Sequence, residues 1–138
     1  MNDNPKHKRI GPNGIYANSI IQVVEKEWGS ESIYCRSPHA AKVMRLNTGY
    51  QVSLHLHGCK SETFILISGK LIVDTFDRNG NLKKIVLEKP FDAITIENMV
   101  PHTFYCPEGQ LGHTVFIEAS TLDADDDNYR ITKSGPRP

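Results

Sequence analysis

The sequence predicts an all-β fold, an antiparallel sandwich or barrel, on three observations. Its hydrophobic residues come in short runs rich in β-branched and aromatic side chains, turn chemistry separates the runs, and only residues 19–26 look helical. In chain order the expected strands cover residues 33–35, 42–46, 51–57, 63–67, 71–76, 83–87, 93–96, 102–106 and 113–117. Between them stand Asn47-Thr48-Gly49, Ser68-Gly69-Lys70, Asp77-Arg78-Asn79-Gly80-Asn81, Glu88-Lys89-Pro90 and Pro107-Glu108-Gly109-Gln110, combinations that favour tight turns. No repeat or low-complexity tract interrupts this plan.

A chain of 138 residues fits one domain, expected over 15–130, with polar tails at 1–14 and 131–138 that are rich in Pro, Gly and Lys. Lys and Arg together number 16 and Asp and Glu 16, so the net charge is zero and no basic face is offered to nucleic acid. No apolar run reaches the roughly 18 residues of a membrane span, and the polar start Met1-Asn2-Asp3-Asn4-Pro5 lacks the apolar core of a signal peptide. Cys35, Cys59 and Cys106 are odd in number and have no CxxC spacing, which argues against a disulfide scaffold and for reduced thiols in a cytoplasm. The expected setting is cytoplasmic, without membrane or nucleic-acid partners.

Chemistry concentrates in residues 49–69. In a strand, Gln51, Ser53, His55 and His57 point to one face, and Val52, Leu54 and Leu56 to the other. A short connection through Gly58-Cys59-Lys60-Ser61 can fold Glu62 back beside the two imidazoles, making a two-His-one-carboxylate corner that suits Mn, Fe, Co, Ni or Zn. His102, fixed behind Val100-Pro101, is the best fourth ligand, since His7 and His39 fall in expected loops and His113 opens the last strand. Phe64 and Leu66 share the face of Glu62, so these polar groups point into a packed interior, which is costly unless they bind a metal or one another. The apolar set Val52, Leu54, Leu56, Thr63, Ile65 and Ile67 predicts a cover, either residues 15–24 or a second subunit, and a homodimer is expected.

The spacing Gly49-x5-His55-x-His57-x4-Glu62-x6-Gly69 resembles the first motif of the cupin superfamily at every position. In the second motif Pro101-His102 supplies the histidine, while Phe91, Glu97, Met99 and Cys106 stand where that superfamily usually has Gly, Pro, Gly and Asn. The resemblance implies a double-stranded β-helix, the jelly-roll cupin barrel, with one divalent metal held inside by His55, His57, Glu62 and His102. Glu27-Trp28-Gly29-Ser30-Glu31, residues 53–64, and Glu118-Ala-Ser-Thr followed by Asp125-Asp126-Asp127-Asn-Tyr-Arg130 further resemble the cupin domain of mannose-6-phosphate isomerases. By that likeness Lys42 and Arg130 would hold a phosphate or oxyanion of a small substrate, a sugar or sugar phosphate. Catalytic roles fall to Glu62, a ligand first and a base second, and to Lys42.

Three functions follow as expectations: a metal-dependent sugar isomerase or epimerase, a mononuclear iron dioxygenase, and a non-catalytic sugar- or metal-binding module. Bland roles are expected for other residues. Trp28 and Phe64 belong to the core, Lys60 is exposed, Cys59 and Cys106 are inert, and the acidic run from Asp123 to Asp127 forms a solvated turn that caps the last element.

Overall fold

The computed structural model describes residues 7–9, 16–121 and 123–138, with only the main chain of 7–9 and 16–18. Strands follow in the order β1 (His7–Arg9), β2 (Tyr16–Asn18), β3 (Gln22–Lys26), β4 (Gly29–Cys35), β5 (Ala40–Asn47), β6 (Tyr50–Gln51), β7 (His55–Leu56), β8 (Glu62–Ser68), β9 (Leu71–Phe76) and β10 (Leu82–Leu87). They continue with β11 (Ala93–Ile96), β12 (His102–Tyr105), β13 (His113–Ser120), β14 (Tyr129–Arg130) and β15 (Gly135–Pro136). One sheet runs β11-β8-β13-β5-β4-β3. The other runs β10-β9-β12-β6-β15, with β7 lying between β12 and β14, and β1 and β2 form a separate pair among the described residues. Non-consecutive neighbours such as β5 and β13 or β9 and β12 are the crossed antiparallel connections of a jelly roll.

Period-2 alternation builds the core between these sheets. Along β5 the inward residues are Ala40, Lys42, Met44 and Leu46; along β8, Glu62, Phe64 and Leu66; along β13, Thr114, Phe116 and Glu118. Phe104 of β12 crosses to meet them, its ring 5.1 Å from Phe64 and 5.4 Å from Phe116. Each such buried aromatic contributes roughly 1.5–3 kcal/mol of transfer free energy. The core is apolar in its middle and turns polar toward one mouth, where Glu62 and Glu118 end their rows and Lys42 stands next to the end of its own. Trp28 joins this core, as expected, at 6% exposure.

Several expectations are corrected. Residues 19–26 form no helix; 22–26 add as the edge strand β3 beside β4, with Gln22 opposite Ile33 and Lys26 opposite Gly29. Half of that stretch is Ile and Val, and an open edge on β4 rewards the extended backbone that these residues prefer. The expected strand 51–57 is broken into β6 and β7, because residues 52–54 leave the ladder. Val52 therefore turns into the core at 4% exposure instead of sharing an outer face with Leu54 and Leu56, held by Thr103 Oγ1 donating to its carbonyl at 2.8 Å.

The expected cover from residues 15–24 does not form a layer over that face: 16–18 pair β1 and 22–24 lie in the sheet's own plane, while Ile15 falls outside the described residues. Ile67 stands 37% exposed. Of the expected tail 1–14, only 7–9 are described. In the tail expected at 131–138, Gly135 and Pro136 pair β6, and Arg137 stacks over Tyr105 at 3.3 Å from the ring centroid, a cation–π contact that the polar composition concealed.

The two positions where the cupin pattern has glycine and this chain does not, Phe91 and Met99, adopt φ of 73° and 66°. That is the left-handed region, which costs a residue with a Cβ about 1–2 kcal/mol. Both side chains are exposed, so packing does not repay the strain.

Candidate metal centre

Strand pairing assembles the site. Register places His102 of β12 directly opposite His55 of β7, and two residues further His57 points the same way. The turn through Gly58 returns the chain so that Glu62 opens β8 beside them. His55, His57, Glu62 and His102 are all buried, at 7%, 8%, 2% and 1% exposure, and their ligand atoms lie within 4.8 Å of one another. The four residues expected from spacing are thus together.

Each imidazole is oriented by the main chain. His55 Nδ1 lies 2.7 Å from the carbonyl of Ser53, His57 Nδ1 2.9 Å from that of Asp127, and His102 Nδ1 2.9 Å from that of Val100. A carbonyl only accepts, so each Nδ1 carries the proton and each Nε2 presents a lone pair to the centre. Glu62 Oε1 sits 2.7 Å from His102 Nε2 and 3.5 Å from His57 Nε2. In this tautomer both partners of the 2.7 Å contact are acceptors, and both are buried without a hydrogen-bond donor. Two lone-pair atoms at that distance call for a cation between or beside them, and three imidazole nitrogens with one carboxylate oxygen are the donor set of a first-row divalent metal.

Electrostatics agrees. Burial pushes His55 down to about 4, with His102 adding to the effect, so it is neutral and ready to ligate at pH 7. Burial disfavours the Glu62 carboxylate, yet rings of His102 and His57 that carry a proton on Nε2, together with Lys60, would hold its carboxyl well below the usual range, the same stabilisation that a divalent ion in the proton's place would supply. For His57 burial is likewise opposed, and outweighed, by Glu62, so it is raised.

A second buried cluster borders the first. Lys60 Nζ lies 3.5 Å from Glu62 Oε2, 3.5 Å from Glu118 Oε2 and 3.3 Å from Asp123 Oδ1. Lys42 Nζ lies 3.1 Å from Asp123, 3.4 Å from Glu31 and 3.8 Å from Glu118, which faces it across the β5 and β13 ladder. Burial alone would lower both lysines, but Glu118 and its neighbours hold them above their ordinary value. Glu118 is pushed up to about 7 by burial and by Glu62, against Lys60 and Lys42. Arg36 closes the outer side on Asp123 and Asp125. At full ionisation these three cations meet five carboxylates, Glu62 included, and a divalent ion among the histidines balances the excess.

Lys60, expected to be exposed, is 6% exposed, because carboxylates from three other segments converge on its ammonium. Glu118 was missed as well, although its place two residues beyond Phe116 on an inward row was a readable signal. Above both clusters opens a cavity of about 360 Å³, walled by Trp28 and Phe104 on one side and by Asn128 and Arg130 on another. Arg130 pairs across β14 and β7 with His55 and so lies on the histidine's side of the sheet. His39 and His113 stand outside the cluster, and the side chain of His7 lies outside the described residues. Cys35 and Cys106 are buried and Cys59 exposed, all three as free thiols. Asp127 does cap, but its target is the turn at Gly58.

With this geometry in hand, likeness to solved structures can be weighed. No family model matches the chain and no curated protein is similar to it in sequence. In structure it is similar to the capsular polysaccharide assembling protein CapF from Staphylococcus aureus, with a TM-score of 0.71 at 18% identity over 86% of this chain. It is also similar to oxalate decarboxylase from Bacillus subtilis, with 0.69 at 17% over 80%, and to the formate complex of oxalate decarboxylase from Lactobacillus farciminis, with 0.67 at 18% over 80%. The fold is the cupin barrel. The chain spans about a third of the length of these proteins, 32%, 30% and 33% respectively. Within the cupin barrel the His55, His57, Glu62 and His102 group fits a metal. Among the described residues no helix is long and apolar enough to cross a membrane.

Proposed function

We propose that this cupin barrel is a metal-dependent enzyme that isomerises or epimerises a sugar or sugar phosphate in the cavity above the histidines. The observation that carries the reading is the 2.7 Å meeting of Glu62 Oε1 and His102 Nε2, two acceptors beside a polar cavity of about 360 Å³ that Glu62, His55 and His57 line, within the size range of small-ligand sites. A divalent metal bound there supplies a Lewis acid, which acidifies the proton beside a carbonyl. His55, His57, His102 and Glu62 hold it. Lys60 on Glu62 Oε2 keeps the carboxylate ionised and so favours its role as a ligand over that of a base. Trp28 and Phe104 shed water from one wall, while Arg130 presents a planar fork suited to a phosphate or oxyanion. Lys42 lines the cavity in the grip of three carboxylates, so its role there is to set the field and not to accept a proton.

Support for a carbohydrate comes from the resemblance of residues 27–31, 53–64 and 118–130 to the cupin domain of mannose-6-phosphate isomerases and from the structural likeness to a capsular polysaccharide assembling protein. A second reading, an iron centre that consumes dioxygen, is favoured by the three-His-one-Glu donor set itself. Elemental mass spectrometry of untagged protein purified without added metal separates these. We expect about one divalent ion, lost in His55→Ala and His102→Ala, and interconversion of a member of a sugar panel. Iron with oxygen uptake selects the second reading, and a loaded protein that turns over nothing is a binding module. The outer face of Thr63, Ile65 and Ile67 is assigned to a homodimer contact; a monomer in sedimentation at micromolar concentration would refute it.

A further inference from the structure

The acidic run after β13 holds a residue that ties the cavity wall to the metal centre. Asp127 Oδ1 accepts from the main-chain N–H of Gly58 at 2.8 Å and of Cys59 at 3.0 Å, and Oδ2 accepts from Cys59 at 3.1 Å and Lys60 at 2.9 Å. One carboxylate thus satisfies three successive donors of the turn that separates His57 from Glu62. The same residue's carbonyl, 2.9 Å from His57 Nδ1, fixes which nitrogen of that ring faces the centre. The turn is cut to fit it: a Cβ on Gly58 would stand 3.0 Å from Asp127 Oδ1 and 3.3 Å from Tyr129 Cε2. Pairing of Tyr129 with Leu56 and of Arg130 with His55 then continues the attachment.

We propose that Asp127 is the positioning residue of the metal centre: its carbonyl sets the ring of His57, and its carboxylate sets the turn that brings Lys60 and Glu62 to it. The inference rests on the metal reading above. It follows that segment 123–130, which lines the cavity through Asp123, Asn128 and Arg130, is fastened to the ligands by Asp127 together with the pairing of Tyr129 and Arg130 with Leu56 and His55, so loosening the wall loosens the ligand set as well. The neighbouring Asp125 and Asp126 are exposed and make no comparable contact with the turn.

The test compares Asp127→Ala, Asp127→Asn and Gly58→Ala with Asp126→Asn. Cobalt(II) affinity is read by chelator competition, coordination by the visible spectrum of the cobalt-loaded protein, and the His57 tautomer by imidazole ¹⁵N shifts in the metal-free protein. Asp127→Ala is expected to weaken cobalt about 10- to 100-fold, the usual consequence of losing a group that orients a ligand, and to change the spectrum. Asp127→Asn and Gly58→Ala should fall between it and wild type, with Asp126→Asn unchanged. Wild-type affinity and spectrum in Asp127→Ala, with faster amide exchange only at 58–60, would overturn the proposal and leave Asp127 a turn clamp. If the wild type binds no cobalt, the metal reading fails. The positioning role is then judged on the tautomer alone: Nδ1–H in wild type and mixed in Asp127→Ala supports it, and no difference sinks it. Should Asp127→Ala not fold, Asp127→Asn and Gly58→Ala carry the same comparison.

Discussion

Two buried polar clusters touch through Glu62, and they are built on opposite principles. Around Lys42 and Lys60 every charge has an opposite charge within 4 Å: Glu31, Glu118 and Asp123 surround the ammonium groups, and Arg36 closes the rim. Around His55, His57 and His102 only acceptors meet, aimed by carbonyls behind them. The first arrangement is complete as it stands; the second is complete only with a cation. A buried polar group that is paired supports the wall, whereas one that is oriented and left unpaired reserves a place for a ligand.

That contrast can be broken in graded ways. The largest effect is expected on metal content: Glu62→Ala removes the shared carboxylate and should leave no stoichiometric divalent ion by elemental analysis. Lys60→Met attacks the complete cluster instead, leaving Glu118 and Glu62 short of a partner, and should destabilise the protein by about 3–5 kcal/mol in urea unfolding while Lys60→Arg recovers much of the loss. Acid separates the clusters by titration. His55 has an ordinary value of 6.5 and is lowered to about 4 in the fold, so the unfolded chain takes up a proton that the folded chain refuses between those values. Stability of the metal-free protein should therefore fall as pH drops from 6.5 toward 4, by roughly 3 kcal/mol at most. The raised His57 acts in the opposite sense, losing its contribution as pH climbs past its folded value, so that window lies above 6.5.

Loading gives a gain of similar size. At a metal concentration 100 times the dissociation constant, unfolding should cost about 2.7 kcal/mol more, and Glu62→Ala should not respond. The smallest effect lies outside both clusters. Met99→Gly relieves a φ of 66° at an exposed side chain and should stabilise by about 0.5 kcal/mol, once glycine's extra freedom in the unfolded chain is set against the strain, read as a small rise in melting temperature.

Legibility in the sequence followed the reach of each signal. Alternation within a strand is a two-residue rule, so His55 and His57 on one face, and Glu62 in line with Phe64 and Leu66, could be read directly. His102 needed the proline before it and the setting aside of His7, His39 and His113, since only Pro101-His102 of its motif is kept. Val52 escaped because the ladder breaks at 52–54, and nothing in Gln-Val-Ser-Leu-His marks where pairing stops. Residues 19–26 misled because four β-branched residues among polar ones fit an amphipathic helix and an edge strand alike, and the open edge of β4 decided between them. Lys60 and Asp127 were beyond reach for another reason. Their partners lie far along the chain, and charged residues in polar, turn-rich stretches look like solvent-facing ones until the topology brings Asp123, Glu118 and the 58–60 amides together.

β13 pairs β5 from Ala40 opposite Ser120 to Asn47 opposite His113, so the central ladder joins the two halves of the chain. Contacts so distant in sequence form slowly, because loop closure must precede any reward from pairing. Three ligands lie within eight residues, on β7, just after it and at the start of β8, whereas His102 reaches them only when β12 pairs β7 across a long stretch of chain. An ion present during refolding is thus a late arrival, expected to leave the folding rate nearly unchanged and to lengthen the lifetime of the finished barrel by slowing its opening.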